Sequence, residues 1–316
     1  MSAMTPASVA IIGAGMAGLS CARVLADAGL RPVIFDKGRG VGGRLATRRT
    51  SDGLRFDHGA QYLTAKSAAF AEVLSAMRSA GAVAPWQDGS QREHLVGVPG
   101  MSGVAKYLAQ GLDIRQGTEL LGISRVDGRW WLQIAKTPQP FDAVVLTVPA
   151  PQVLRLLGPD HAFAPALSAV HMAPCLTLMA AFGPTAPAPF LTCRPADGPL
   201  SWIASDSSKP GREGQGTWVA QAGPDWSNQN LERDMPDIAH LMLPLLCSAV
   251  GVDIDQTQHS TAHRWRYARV ITPLGAPFLQ DSSKTLFAGG DWCIGARAEA
   301  AWTSGKAIAE DVLRQV

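Results

Sequence analysis

The chain has few charges, few tyrosines and few cysteines for its 316 residues. Charged side chains make up 17% of it and the formal net charge is only +2. That argues against a nucleic-acid partner, which would call for a concentrated basic face. The five cysteines (Cys21, Cys175, Cys193, Cys247 and Cys293) are odd in number, widely spaced and form no CxxC pair. A disulfide framework and a metal site are therefore not expected, and each cysteine reads as a small buried apolar residue in a reducing cytoplasm. No run reaches the roughly 18 apolar residues a membrane span needs. The nearest, 238–252, contains His240 and Pro244 and reads as an ordinary helix. Basic residues do not precede the first apolar run and glycines interrupt it, so neither a signal peptide nor a membrane partner is expected. Apolar residues at 47% and a length of 316 suffice for two sizeable cores.

What is present is concentrated at the two ends. Residues 8–12 (Ser-Val-Ala-Ile-Ile) form an apolar strand. The turn Gly13-Ala14-Gly15-Met16-Ala17-Gly18 follows, then a helix over about 19–28 that stops at Gly29. A second strand over 32–35 ends in Asp36. This is the dinucleotide-binding fingerprint: Gly13 permits the tight turn, Gly15 admits a pyrophosphate to the backbone, and Gly18 lets helix and strand pack closely. The helix N-terminus, with Met16 and Ala17, faces the phosphates. Asp36 is placed to accept from a ribose diol and disfavours a 2′-phosphate, so FAD or NAD fits better than NADP. Lys37-Gly38-Arg39-Gly40-Val41-Gly42-Gly43-Arg44 then forms a basic, glycine-rich loop. Gly43 allows close backbone approach and Arg44 can pair with phosphate oxygens as a planar fork.

Two further segments carry chemistry. Phe56-Asp57-His58-Gly59-Ala60-Gln61-Tyr62 places small residues beside an acid, a histidine and an amide. His58 could be a base or a structural histidine. Near the C-terminus, Phe287-Ala288-Gly289-Gly290-Asp291-Trp292 leads into Gly295-Ala296-Arg297-Ala298-Glu299-Ala300-Ala301-Trp302-Thr303-Ser304-Gly305.

Taken in order, the GG-R segment at 42–44, the D-x-G-A-Q element at 57–61 and the A-G-D…E-x-A…S-G ending at 288–305 resemble those of the amine-oxidase-like FAD oxidoreductases. The resemblance implies noncovalent FAD, since no cysteine lies between Ser248 and Gly290 to link it. It implies that Gly59, Ala60 and Gln61, with His58, run against the isoalloxazine ring. Asp291 would contact the ribityl or pyrophosphate region, Ala298, Glu299 and Ala300 would open a helix at the pyrimidine edge, and Leu121 would flank the cofactor. The implied fold is α/β: a Rossmann-type FAD-binding domain with a second, mixed-sheet substrate domain, as in amine oxidases and p-hydroxybenzoate hydroxylase. We expect the first domain over 1–65, 101–150 and 271–316, and the second over 66–100 and 151–270.

Shortness and local strings resemble the renalases, particularly the bacterial members: Trp202-Ile203-Ala204 with Ser207-Ser208-Lys209-Pro210-Gly211-Arg212, Trp218-Val219-Ala220-Gln221-Ala222 with Trp226-Ser227, and Trp265-Arg266-Tyr267-Ala268. That implies oxidation of 2- and 6-dihydro-NAD(P) to NAD(P)+ with O2 reduced to H2O2, so the partners would be a small dinucleotide and O2. The alternatives are an amine oxidase or desaturase-like dehydrogenase, or a flavin-binding protein without redox turnover. Monoamine oxidases hold the amine between two tyrosines, one of them two residues before the E-G-A motif. Here that place is Arg297, and tyrosine occurs only at positions 62, 107 and 267. An arginine there opposes an ammonium and suits an anion. Candidate substrate-pocket residues are Gln61, Trp202, Gln221, His263, Arg266, Tyr267, Trp292 and Arg297. No catalytic acid, base or nucleophile is assigned, and the oligomeric state is left open.

Overall fold

The structure, a computed structural model, describes residues 7–134, 139–212 and 214–315. The chain folds into two compact units. The first is Met1–Gly43, Ala105–Met172 and Val270–Val316; the second is Arg44–Val104 and Ala173–Arg269.

The first unit is built on a six-stranded sheet in the order Leu279–Gln280, Leu286–Ala288, Ala143–Leu146, Val9–Ile12, Val33–Phe35, Asp113–Arg115. All neighbours are parallel except the edge pair Leu279–Gln280 with Leu286–Ala288. The central strands, Val9–Ile12 and Ala143–Leu146, are buried along their whole length, as a parallel sheet covered on both faces requires. The helix Met16–Asp27 packs against the last helix, Ala298–Leu313. Closest approach is at Gly305, where a Cβ would lie 2.1 Å from the Ala17 carbonyl oxygen and 2.3 Å from Ser20 Oγ. A three-stranded antiparallel sheet, Pro140–Phe141, Arg129–Gln133 and Gly122–Val126, belongs to the same unit.

The second unit holds a five-stranded sheet in the order Thr192–Cys193, Leu200–Ser205, Thr217–Ala222, His171–Ala181, His259–Thr272. Its core joins Leu176, Leu178, Trp218 and Ala220 of the sheet to Ile238, Met242, Leu246 and Val250 of the helix Met235–Val250.

The units differ from the expected domain boundaries chiefly at 44–65 and 151–172, each for a packing reason, and by a few residues at 101–104 and 270. Residues 44–65 belong with the second unit because Phe56 packs on Met179, Ala181 and Val219 of its sheet. Residues 151–172 belong with the first because Val153, Phe163, Leu167 and Val170 share a core with Leu132, Phe141 and Val144. The stretch 81–100 contains the antiparallel pair Val83–Trp86 and His94–Gly97.

Candidate cofactor site and active site

In the first unit the strand Val9–Ile12 ends at Gly13, whose φ of 111° favours glycine. Gly18 is needed for closeness: a Cβ there would stand 1.9 Å from the Gly13 carbonyl oxygen and 2.7 Å from Thr147 Oγ1. Gly15 has the opposite environment. Its φ is −81° and a Cβ would meet nothing within 4 Å. The space before the helix is therefore open where a phosphate would approach. No side chain caps that helix and its first turn holds no acid, which leaves the positive helix end for an anion. The second glycine loop lies alongside: Gly42 N donates to the Ala14 carbonyl at 2.8 Å, and Gly15 pairs with Gly42 as a parallel bridge. This arrangement fits a dinucleotide pyrophosphate.

Asp36 does more than await a ribose. Its Oδ2 accepts from Ala14 N at 2.6 Å and its Oδ1 from Gly38 N at 2.6 Å. One carboxylate ties both glycine loops together, and it remains only partly buried. Lys37 and Leu121 are exposed, Met16 and Ala17 are buried in the first helical turn, and Asp291, Glu299 and Ala300 are buried. The last helix opens after Arg297 with no side-chain cap, a second helix N-terminus available to negative charge.

In the second unit the segment 57–61 is fastened by a buried ionic network. Asp57 Oδ2 accepts from Arg212 Nη2 at 2.6 Å and lies 3.4 Å from Lys209 Nζ, while its Oδ1 accepts from Thr47 Oγ1 at 2.7 Å and Met101 N at 2.9 Å. Asp206 Oδ2 accepts from Arg212 Nη1 at 2.6 Å and from Asp57 N at 2.9 Å, and its Oδ1 lies 2.6 Å from Lys209 Nζ. All four side chains are excluded from solvent. Burial works against the charged Asp206, but Lys209 and Arg212 outweigh it and hold its carboxyl below the usual range. Two acids against two bases leave no net charge in the core.

Gln61 belongs to this network. Its Nε2 donates to the Asp57 carbonyl at 2.5 Å and the Gly59 carbonyl at 3.1 Å, and its Oε1 accepts from Lys209 at 3.2 Å. Gln221 Nε2 donates to the same Gly59 carbonyl at 2.8 Å. Gly59 is required because a Cβ would stand 2.2 Å from the Arg44 carbonyl oxygen. Arg44 in turn donates from Nη1 to the Ala268 carbonyl at 2.8 Å, and Ala60 N donates to the Arg44 carbonyl at 2.8 Å.

His58 is buried against Trp265, with ring centroids 5.1 Å apart and planes 27° apart, and meets the His263 edge at 4.6 Å. Trp265 Nε1 donates to the His58 carbonyl at 2.7 Å. Burial pushes the His58 imidazole down to about 3, helped by His263 and Arg48, and pushes His263 down to about 4, helped by Arg48. Both are neutral at neutral pH. His58 Nδ1 is buried and has no partner among the described residues.

Several pocket candidates are placed elsewhere. Trp292 is buried in the first unit's core, its Nε1 donating to the Val148 carbonyl at 3.1 Å. Arg266 forms a bidentate pair with Glu232 at 2.6 and 3.0 Å and is spent on that surface pair. Gln61 has its amide engaged by the backbone and Lys209 rather than offered to a substrate. Tyr267 is half-buried and Arg297 is exposed. Trp202 is buried beneath the Arg194 guanidinium, which lies 4.4 Å from its ring centroid. Sequence reading missed the roles of Lys209 and Arg212. The signal was a Lys and an Arg flanking Pro210-Gly211 just after Asp206, but nothing in that spacing says that the group is buried.

Residues 67–313 match the family model for flavin-containing amine oxidoreductases, and residues 11–77 match that for an NAD(P)-binding Rossmann-like domain. The chain belongs to the flavin-containing amine oxidoreductase family. Its cofactor is accordingly FAD. Among curated relatives it is similar to mouse (Mus musculus) renalase, 29% identical over 168 residues, which are 48% of this chain and 49% of that protein. It is also similar to the 15-cis-phytoene desaturase of Synechococcus elongatus, 47% identical over 51 residues, 16% of this chain and 11% of that one. The matches thus span at most about half the length of these relatives. In fold it is similar to a structure assigned as a protoporphyrinogen oxidase from Exiguobacterium sp. 255-15 (TM-score 0.80, 15% identity, 99% and 100% of the two chains) and to putrescine oxidase bound to putrescine (0.71, 12%, 98% and 99%).

Proposed function

We propose that this protein is a renalase-type oxidase, taking hydride from 2- and 6-dihydro-NAD(P) to give NAD(P)+. Bound FAD would accept the hydride and pass the electrons to O2 as H2O2. The observation that carries this reading is that His58, next to Gly59, is buried and packed 4.6 Å from the His263 edge and against Trp265, an environment that pushes both imidazoles well below their ordinary range. An alkylammonium must lose a proton before its oxidation, and an imidazole held near 3 or 4 is a poor base at neutral pH. A dihydropyridine needs no base: it becomes aromatic on losing hydride, and positioning is then the main contribution of the protein.

The chain's own residues have matching tasks. Asp36, Gly13, Gly15, Gly18 and Gly43 would hold the adenosine diphosphate half of the cofactor. The Asp57–Arg212 network would keep Gly59 and Ala60 in a fixed path against the flat ring. Arg297, where an amine oxidase has an aromatic, disfavours an ammonium. The 29% identity to mouse renalase supports the same choice.

Anaerobic mixing with a panel of dihydronicotinamide isomers and amines tests it. The 2- and 6-dihydro isomers should bleach the flavin within seconds, amines should not, and readmitted O2 should yield H2O2. Bleaching by an amine with none by the isomers would overturn the proposal.

A further inference from the structure

Outside the ionic network, one cation of the second unit is held in place without an acid. The Arg194 guanidinium lies over Trp202 and donates from Nη2 to Tyr62 Oη at 3.2 Å. Tyr62 stacks on His94 with centroids 3.7 Å apart and planes 13° apart, and meets Trp202 at 5.9 Å. His94 Nδ1 stands 2.7 Å from Asp88 Oδ2. Burial opposes the charged Asp88, but bonds from His94 and Ser90 hold its carboxyl below the usual range. A chain of oriented groups thus runs Asp88, His94, Tyr62, Arg194, and it ends at the exposed Arg194 guanidinium, which also lies over Trp202.

Arg212, Arg266, Arg129 and Arg78 each meet a carboxylate, whereas among the described residues Arg194 meets none. Among the described residues it donates one bond, to Tyr62, and it lies over the Trp202 ring, so further donors of its five remain for a ligand. The Trp202 indole N–H is buried and has no acceptor among the described residues. An exposed guanidinium with donors to spare, lying on an indole ring, matches an oxyanion joined to a planar heterocycle.

We propose that Arg194, laid on Trp202 and tied to Tyr62, is the receptor for a phosphate group of the substrate. This rests on the dinucleotide-substrate reading, and it assigns part of that reading's affinity to Arg194, which the sequence alone did not single out, beside Trp202, which it did.

The test uses the FAD-loaded protein and ADP-ribose, which carries phosphates but no dihydropyridine. Binding is followed by equilibrium dialysis for wild type, Arg194→Met and Arg194→Lys, with FAD content measured for each. Arg194→Met should bind about tenfold more weakly, as expected for loss of a charge-assisted phosphate contact, and with a shallower salt dependence. Arg194→Lys, which keeps the charge and loses the fork, should fall between. In parallel, anaerobic flavin reduction is compared for the 2- and 6-dihydro dinucleotides and their phosphate-free ribosides. Arg194→Met should raise the half-saturating concentration for the dinucleotides and leave the ribosides unchanged. Equal ADP-ribose affinity in wild type and Arg194→Met, or binding by neither, would overturn the receptor. If ADP-ribose binding depends on Arg194 while no dihydronicotinamide isomer reduces the flavin, the receptor stands and the oxidase reading fails.

Discussion

Arg212 and Asp57 meet at 2.6 Å with both side chains excluded from solvent. The partner charges Lys209 and Asp206 are equally buried, so the group balances and each member depends on the others. Removing one leaves an uncompensated buried charge, which costs about 3–5 kcal/mol. Arg212→Met should therefore lower unfolding free energy by about that amount, while Arg266→Met, which breaks only an exposed pair, should cost less than about 1 kcal/mol. Urea unfolding of both variants checks the contrast. Equal losses would mean that the network is not what holds the segment 57–61.

The two glycines at the start of the first helix should fail differently. Alanine at Gly15 projects into open space at a compatible φ of −81°. Gly15→Ala should fold with wild-type stability to within about 1 kcal/mol and lose FAD, because the methyl occupies the approach of the pyrophosphate. Alanine at Gly18 collides with the Gly13 carbonyl, so Gly18→Ala should lose stability even without cofactor. Melting of the apoproteins and FAD titration separate the two. A Gly15→Ala variant that keeps full FAD affinity would remove the phosphate from that place.

Acid should destabilise the protein in two windows. His58 and His263 have folded values near 3 and 4, below their ordinary 6.5. The unfolded chain therefore binds the extra protons, and stability is flat above pH 6.5 and falls as pH drops below it. The His58 contribution to the slope is up to about 1.4 kcal/mol per pH unit. Asp206 acts in a lower window: its carboxyl is depressed, so its contribution is present above the ordinary carboxylate value of 3.8 and is lost below it. Melting temperature between pH 8 and pH 4 should trace the first window, and His58→Gln should flatten it.

The flavin should be released by acid precipitation and remain in the supernatant. All five cysteines are free thiols. Burial pushes Cys175 up to about 11 and Cys293 up to about 12, so neither presents a thiolate. Yellow colour retained in the washed pellet would contradict this.

The nucleotide half was legible in the sequence because its chemistry is local. Gly13, Gly15, Gly18 and Asp36 lie within one strand–turn–helix–strand unit, and backbone sterics and helix-end charge assign their roles before any tertiary contact forms. The strands Val9–Ile12 and Val33–Phe35 announced themselves as apolar runs for the same reason. The substrate-side assignments depended on partners distant along the chain, from 34 residues (Arg266 to Glu232) to 148 (Gln61 to Lys209), and there the reading diverged. Gln61 looked available until Lys209, 148 residues on, took its oxygen. Arg266 looked like a pocket charge until Glu232 turned it to the surface, and Trp292 looked like a pocket ring until the first unit's core closed over it. Lys209 and Arg212 stood in the sequence only within a renalase-like string, and burial makes them the cations that hold Asp57. Sequence by itself determined which backbone could cradle a dinucleotide. Only the tertiary structure decided which charges would be satisfied inside the protein and which, like Arg194, would be left facing out, because desolvation and pairing are set by neighbours distant along the chain.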